Sequence, residues 1–315
     1  MRIGLDIGGT KTDAVVVDER GRVACAVRLP TGFGPDAVVG STVEAVRRLS
    51  SHSGVKVSEV TACGIGIPGS VDPANGRVDH AVNLGLETLD LGPRLAERLG
   101  RAVHVENDVN AAALGAFHLL GYPADSSMAY LNLGTGLAAG LVLGGELRRG
   151  ARGVAGEIGH LPVEPAGPRC SCGQLGCLEL FASGSGIARQ WPSDDPAPAR
   201  ALFEAAAGGD ATAVAVRDRL FTGVAEAVRI LALSVDVGDV VIGGGLSRLG
   251  DQLGAGVRGV IARWEQASPF VASLRLADRL RLLPTGFPAA AVGAAFAGGA
   301  PATPTTPRRG PWRRG

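Results

Sequence analysis

Lysine is almost missing from this chain of 315 residues: Lys11 and Lys56 are the only two among 31 basic residues. Methionine occurs twice, and aromatic residues make up 4%. Neither sign of charge is in excess, with 31 Lys and Arg against 30 Asp and Glu and a net charge of +1. Gripping a phosphate backbone needs a basic surface, so nucleic acid is excluded as the principal partner. No run of about 18 apolar residues occurs, which excludes a membrane span. The N-terminus, Met1-Arg2-Ile3-Gly4-Leu5-Asp6, meets an acid before the apolar region of about 7–15 residues that a secretion signal requires. The expectation is a cytoplasmic protein.

Glycine is what the chain has in plenty. There are 48, roughly twice the usual share of about 7%. With 46% hydrophobic residues and no G-X-Y period, the chain is neither a disordered glycine-rich polymer nor collagen-like. The glycines are therefore expected at particular backbone positions. The length suits two domains of ordinary size or one large one.

Short strands at 3–6, 14–17 and 23–29 open the chain as a meander. A helix over 36–49 presents Ala37, Val38, Val43, Val46 and Leu49 as an apolar stripe. A strand over 60–67, a helix over 89–99, a strand over 102–105 and a helix over 109–120 follow. The plan then restarts. Strands at 127–133 and 137–143 precede a loop-rich stretch from 150 to 186. Helices over 197–207 and 213–235, a strand at 240–242 and a last helix over 288–296 complete it. Such repetition predicts an α/β duplication around a cleft. The N-terminal domain is expected at 1–120, joined by the C-terminal helix at about 288–299, and the C-terminal domain at 121–287. The Pro-, Thr- and Arg-rich tail, 301–315, reads as disordered.

Three glycine turns carry candidate chemistry. Asp6-Ile7-Gly8-Gly9-Thr10-Lys11 joins two strands, and glycines there let backbone N–H groups converge on an anion. Thr10 adds a hydroxyl, Lys11 a cation, and Asp6 a carboxylate suited to Mg²⁺ held through water. A plain hairpin is the other reading. Gly134-Thr135-Gly136 repeats the device at the matching place in the second half, so two turns face a polyphosphate from both sides. Gly243-Gly244-Gly245 follows an apolar strand, where nucleotides rest in open α/β sheets. Gly64-Ile65-Gly66-Ile67-Pro68-Gly69 fits the dinucleotide fingerprint, but the turn-formers Pro68, Asp72-Pro73 and Asn75-Gly76 stand where that fingerprint needs a helix. A Rossmann site is rejected. A loop at Gly69 that approaches a small ligand remains.

Glu106-Asn107-Asp108 lies between a strand and a helix. Asp108 at a helix start serves as an N-cap, as a general base on an attacking hydroxyl, or as both. His160, Cys170, Cys172 and Cys177 are spaced H-x9-C-x-C-x4-C. Three thiolates and an imidazole fill a tetrahedral zinc shell with no open position, which makes such a site structural. Free thiols or a Cys170–Cys172 redox pair are the alternatives. The same loop brings Glu157 and Glu179 near His160. With Asn83 and Asn107 they make a site for vicinal hydroxyls. Cys25 and Cys63 read as core residues.

Taken together, Asp6-Ile7-Gly8-Gly9-Thr10-Lys11, Gly66-Ile67-Pro68-Gly69, Glu106-Asn107-Asp108, Leu133-Gly134-Thr135-Gly136, Gly156-Glu157-Ile158-Gly159-His160 and the run from Cys170 to Glu179 resemble the ROK family. That family groups bacterial sugar kinases with related repressors. The resemblance implies the actin/hexokinase-like ATPase fold, two ribonuclease-H-like domains around a cleft that holds ATP and sugar. It implies ATP- and Mg²⁺-dependent phosphorylation of a hexose at the 6-hydroxyl, with glucose giving glucose 6-phosphate as the leading expectation. An N-acetylhexosamine kinase, for N-acetylglucosamine or N-acetylmannosamine, and a non-catalytic sugar-binding protein are the alternatives. It implies Asp108 as the base, and Asn83, Asn107, Asp108, Glu157, His160 and Glu179 as sugar contacts, with His160 shared between zinc and sugar. A homodimer is implied too. Repressors of the family carry an N-terminal helix-turn-helix, and with the phosphate motif beginning at Asp6 none is expected here. Two positions depart from the family pattern. Leu137-Ala138-Ala139-Gly140 stands where Ile-Gly-Gly-Gly is usual, its extra methyls expected to narrow the approach of a phosphate or sugar ring. Leu86 stands where an aromatic is common.

Overall fold

The computed structural model describes residues 1–298; the tail read as disordered at 301–315 lies outside them. The first half runs β1 (Arg2–Ile7), β2 (Lys11–Val17), β3 (Val23–Pro30), α1 (Pro35–Ser53), β4 (Ala62–Ile67), β5 (Ser70–Asp72), β6 (Arg77–Ala81), β7 (Leu86–Asp90), α2 (Leu91–Leu99), β8 (His104–Asn107) and α3 (Asp108–Leu119). The second runs β9 (Met128–Leu133), β10 (Leu137–Leu143), β11 (Glu146–Arg148), α4 (Gly184–Gln190), α5 (Pro198–Ala207), α6 (Ala211–Val235), β12 (Asp239–Gly243), α7 (Asp251–Ala267), α8 (Pro269–Ser273), α9 (Leu276–Arg279), β13 (Leu280–Leu282) and α10 (Ala289–Ala297).

Two five-stranded sheets carry the fold, ordered β3-β2-β1-β4-β8 and β11-β10-β9-β12-β13. Their connectivity is the same. In each, an antiparallel meander supplies three strands, and two further strands add parallel to the first of them. The turn Gly8–Thr10 and the turn Gly134–Gly136 therefore occupy equivalent places, between the first two strands of each sheet.

The period of two in a strand decides what faces the cleft. In β1, Ile3, Leu5 and Ile7 point one way, into a core with Ile65, Ile67 and the buried stripe Val38, Val46 and Leu49 of α1. Gly4 and Asp6 point the other way. A Cβ on Gly4 would overlap the Ala291 carbonyl of α10, and one on Gly64 the Ala294 carbonyl. Glycine at these two places admits a helix onto the sheet. α10 thus packs against β1, β4 and α3. α3 turns its other side, with Val109, Ala112, Ala113 and Ala116, onto Met128 and Tyr130 of the second sheet. Two helices, α3 and α10, form the layer between the sheets, and Asp6 looks along its edge.

The helices stop where backbone chemistry requires. α1 begins with Pro35 after Gly34 and ends at Gly54 in the left-handed region, φ 72°. Several elements differ from the sequence reading. The turn-rich stretch after β4 folds into a small antiparallel sheet, β5-β6-β7. The helix read over 89–99 starts at Leu91, because Leu86–Asp90 pairs with β6. The rejection of a dinucleotide fingerprint stands, since β4 leads into β5 and not into a helix. Helices α7 to α9 and strand β13 fill a stretch to which no element was ascribed. Among the described residues no helix is long and apolar enough to cross a membrane.

Candidate active site and metal centre

Three charged residues form one rung across the first sheet. Asp6 on β1 stands opposite Asp13 on β2, which stands opposite Arg28 on β3. Arg28 donates to Asp13 from Nε and Nη2, at 2.5 and 3.0 Å. Lys11 opens β2 beside them. A cavity of about 360 Å³ lies against this rung, lined by Asp6, Lys11, Asp13, Arg28 and Asp108 and, from the second half, by Tyr130, Asn132, Gly244, Gly245 and Arg248. Burial, with repulsion from Asp108 and Asp13, pushes the Asp6 carboxyl up to about 7 against the pull of Lys11 and Arg28. Crowded carboxylates beside cations suit a divalent ion paired with an anionic ligand.

Asp108 is the first residue of α3, not its cap. The cap is Asn107, whose Oδ1 accepts from the N–H groups of Val109 and Asn110 at 2.9 and 3.2 Å. Its Nδ2 donates to the Gly69 carbonyl at 3.2 Å, fixing the loop after β4. Asp108 keeps one bond, accepting from the Val109 N–H at 2.9 Å. Burial raises its carboxyl above the ordinary carboxylate range, the Val109 bond opposes that, and the charge of Glu157 adds to it. Gly66 makes room for this helix start, since its ideal Cβ would stand 3.2 Å from the Ala111 Cβ and 3.5 Å from the Asp108 Cα.

The hydroxyl-binding candidates lie outside the lining of the cavity. Asn83 lies against Gly9, where an ideal Cβ would stand 3.2 Å from the Asn83 Cβ. Glu179 reaches the second glycine turn, its Oε2 accepting from the Leu137 N–H at 3.0 Å. Gly159 packs between the Leu137 carbonyl and the Glu179 side chain, so Glu157 and His160 stay on one short helical turn beside it. Gly8, Gly9, Thr10, Gly134, Thr135, Gly136, Asn83, Glu157, His160 and Glu179 are not among the cavity's lining residues. Gly244 and Gly245 are, following β12 as read, with Gly243 closing that strand. Gly244 adopts φ 81° and lies under the Leu133 carbonyl, which ties the third glycine turn to the strand before the second. Ala139 is buried in the second core, and Ala138, partly buried, packs against the α3 cluster. Leu86 likewise sits in the first core.

His160, Cys170, Cys172 and Cys177 converge, with one ligand atom from each lying within 4.8 Å of the others. Cys170 Sγ is 3.7 Å from His160 Nδ1, and Cys172 Sγ is 3.6 Å from Cys177 Sγ. All five cysteines are free thiols; Cys63 is a core residue as expected, whereas Cys25 on β3 is only half-buried against that core. Cys170 and Cys177 are buried, His160 is half-buried and Cys172 is exposed, and three sulfurs with one nitrogen suit tetrahedral zinc.

Several residues of the site escape a linear reading. Asp13 and Arg28 join Asp6 only through strand register, Asp13 seven residues after Asp6 and Arg28 fifteen after Asp13. Tyr130 and Asn132 share one face of β9 by alternation, a signal that was present in the sequence. Glu106 belongs to the group too. Its side chain is 1% exposed and bonded to Asn110, Arg149 and its neighbour's backbone.

Known proteins share this arrangement. The family model described as the ROK family matches residues 2–295. A glucokinase of Streptomyces coelicolor is 35% identical over 284 residues, which cover 84% of this chain and 88% of that protein. The crystal structure of a ROK hexokinase from Thermus thermophilus matches with a TM-score of 0.79 at 33% identity, covering 94% of this chain and 97% of that one. A ROK family glucokinase from Streptomyces griseus, solved with glucose and AMPPNP, matches with a TM-score of 0.77 at 32% identity, covering 94% and 98%.

Proposed function

The chain belongs to the ROK family and has the actin/hexokinase-like ATPase fold, and from that premise we propose that it is a sugar kinase transferring the γ-phosphoryl group of ATP to the 6-hydroxyl of a hexose, glucose foremost. The observation that supports this most is the position of Asp108. One carboxylate lines the charged cavity and also feels Glu157 on the hydroxyl-binding side. A base there stands between donor and acceptor.

In this mechanism the sugar hydroxyls bond to Asn83, Asn107, Glu157, His160 and Glu179, with Gly69 backing Asn107. Asp108 accepts the proton of the 6-hydroxyl as its oxygen attacks phosphorus, and ADP leaves with the bridging oxygen. Backbone N–H groups of Gly8, Gly9, Thr10, Gly134, Thr135 and Gly136, with the Lys11 ammonium, hold the phosphates, and the turn at Gly243–Gly245 backs the nucleotide. Mg²⁺ brought by the nucleotide would be held at Asp6 and Asp13, where it offsets phosphate charge. Zinc at His160, Cys170, Cys172 and Cys177 would fix the loop that carries Glu157 and Glu179. With His160 Nδ1 nearest the thiols, Nε2 is left for the sugar. The two lobes are taken as 1–120 and 121–287, with the C-terminal helix returned to the first. On the family resemblance the chain forms a homodimer, and a monomeric mass by light scattering would set that aside.

ADP release measured with glucose, mannose, fructose and N-acetylated hexosamines tests the proposal. Turnover with glucose is expected to exceed the rest. Turnover on none of them would end the kinase assignment.

A further inference from the structure

Glu106 is the most deeply buried acid near the site, and both of its carboxylate oxygens are engaged by protein groups. It is the penultimate residue of β8, followed by Asn107, which ends the strand, and Asp108, which opens α3. Its Oε1 accepts from the Asn107 N–H at 3.1 Å and from Asn110 Nδ2, one turn into α3, at 3.1 Å. Its Oε2 accepts both Nε and Nη2 of Arg149, at 2.8 and 2.5 Å. His104 Nε2, buried without a hydrogen-bond partner, lies 3.7 Å from the same oxygen. Burial alone would raise this carboxyl, but His104, Arg149 and Asn110 hold it below the ordinary range.

Arg149 comes from the other sheet. It follows β11, and its carbonyl accepts from the Ala155 N–H at 3.1 Å, closing a loop that delivers Gly156 and then Glu157. Gly156 is pinned in turn, its carbonyl accepting from the Ala139 N–H at 2.8 Å. One ion pair, its carboxylate buried and its guanidinium half-buried, therefore joins the strand end that carries Asn107 and Asp108 to the loop that carries Glu157. We propose that Glu106 and Arg149 are positioning residues, a strut between the lobes that sets the separation between Asp108 and Glu157 and so aligns the hydroxyl with its base. The inference rests on the sugar-kinase assignment for its kinetic readout, but not for its binding readout. The strut needs both partners, because a lone charge left in this place is poorly hydrated and would displace the segment that holds it. A displacement of about 1 Å is enough to cost on the order of 10²-fold in rate.

The test uses Arg149→Ala, Arg149→Lys, Glu106→Gln and the Glu106→Gln/Arg149→Ala double variant of the full chain. Thermal midpoints and calorimetric glucose stoichiometry give the fraction of folded sites. Per folded site, Arg149→Ala is expected to lower kcat by roughly 10- to 100-fold, with KM for ATP within about twofold and glucose affinity reduced about tenfold. Arg149→Lys, which keeps the charge but not the fork, is expected to recover part of the loss. The double variant should be no worse than Arg149→Ala, because the two act as a unit. A kcat per folded site near the wild-type value in Arg149→Ala, or losses that add in the double variant, would overturn the strut. If the wild-type chain binds glucose without phosphorylating it, the kinase assignment fails while the loss of affinity in Arg149→Ala still decides the strut. If it binds none of the hexoses, both fall.

Discussion

Asn107 and Asp108 divide two duties that one residue often combines. Asn107 satisfies the open N–H groups at the start of α3. Asp108, relieved of capping, lines the cavity and carries a carboxyl raised by burial and by Glu157. Asp108→Asn is expected to lower kcat about 10²-fold or more while sugar affinity stays near normal, because the amide keeps the shape but accepts no proton. Steady-state turnover beside calorimetric binding checks it, and near-wild-type turnover would refute the role. The pH profile follows from the same shift. A base works only when ionised, so the rate falls as pH drops through its pKa, and the raised value puts this acid limb above the ordinary 3.8 of an aspartate. Glu157→Gln removes the repulsion, and the limb in kcat is expected to move to lower pH.

Two elements matter most to the architecture. The helices α3 and α10 approach so closely that a Cβ on Gly115 would overlap the Ala289 carbonyl, and one on Gly293 the Ala111 carbonyl. Part of the glycine excess, with Gly4 and Gly64 beside these two, serves this seam and not the ligand. Gly293→Val inserts a side chain against backbone, and a loss of about 1–3 kcal/mol or more is expected from urea unfolding. A change below about 0.5 kcal/mol would show that the helices can separate freely. The loop that holds His160 and the three cysteines is the other element. It has no regular ladder, only the isolated pairings Pro162–Cys177 and Arg169–Leu175 and turn bonds such as Cys170 N–H to the Gln174 carbonyl, and a metal at the ligand cluster would add to these. Native protein is expected to contain about one zinc per chain by elemental analysis. Its removal should weaken sugar binding more than nucleotide binding, since Glu157, His160 and Glu179 all ride on that loop.

The whole molecule is one topology used twice. The two sheets share an order, yet the layer between them is not symmetric, because α10 comes from the end of the chain and closes the first sheet beside α3. Ile3, Leu5 and Ile7 face one core, and the opposite side of the same sheet depends on Ala291, Val292 and Ala295 of α10 for cover over Val15 and Val17. A chain ending at 287 is therefore expected to lose soluble expression or to unfold without cooperativity, although every candidate ligand residue remains. Circular dichroism melting of the shortened chain decides it. A sharp transition near the full-length midpoint would show that the first sheet does not need the helix.

The chain's local order settled its duplicated plan. The glycine turns after β1 and β9, the strands read from their apolar runs, and the spacing from His160 to Cys177 are short-range features, and a short range of sequence is enough to fix a turn, a strand or a ligand loop. The ribbon β5-β6-β7 was not legible, because Arg77, Asp79 and Thr88 pair polar side chains across an exposed face and give no apolar alternation. Helix α7 hid its stripe of Leu253, Val257, Val260 and Ile261 behind Gly250, Gly254 and Gly256, which argue against a helix. Only tertiary structure decided the rest. Asp13 and Arg28 reach Asp6 through register, Arg149 reaches Glu106 across two sheets, and Asp108 feels the charge of Glu157 from the opposite half. Each of these contacts joins residues whose separation along the chain carries no energy by itself, and packing of the α3–α10 layer between the sheets is what brings them within reach.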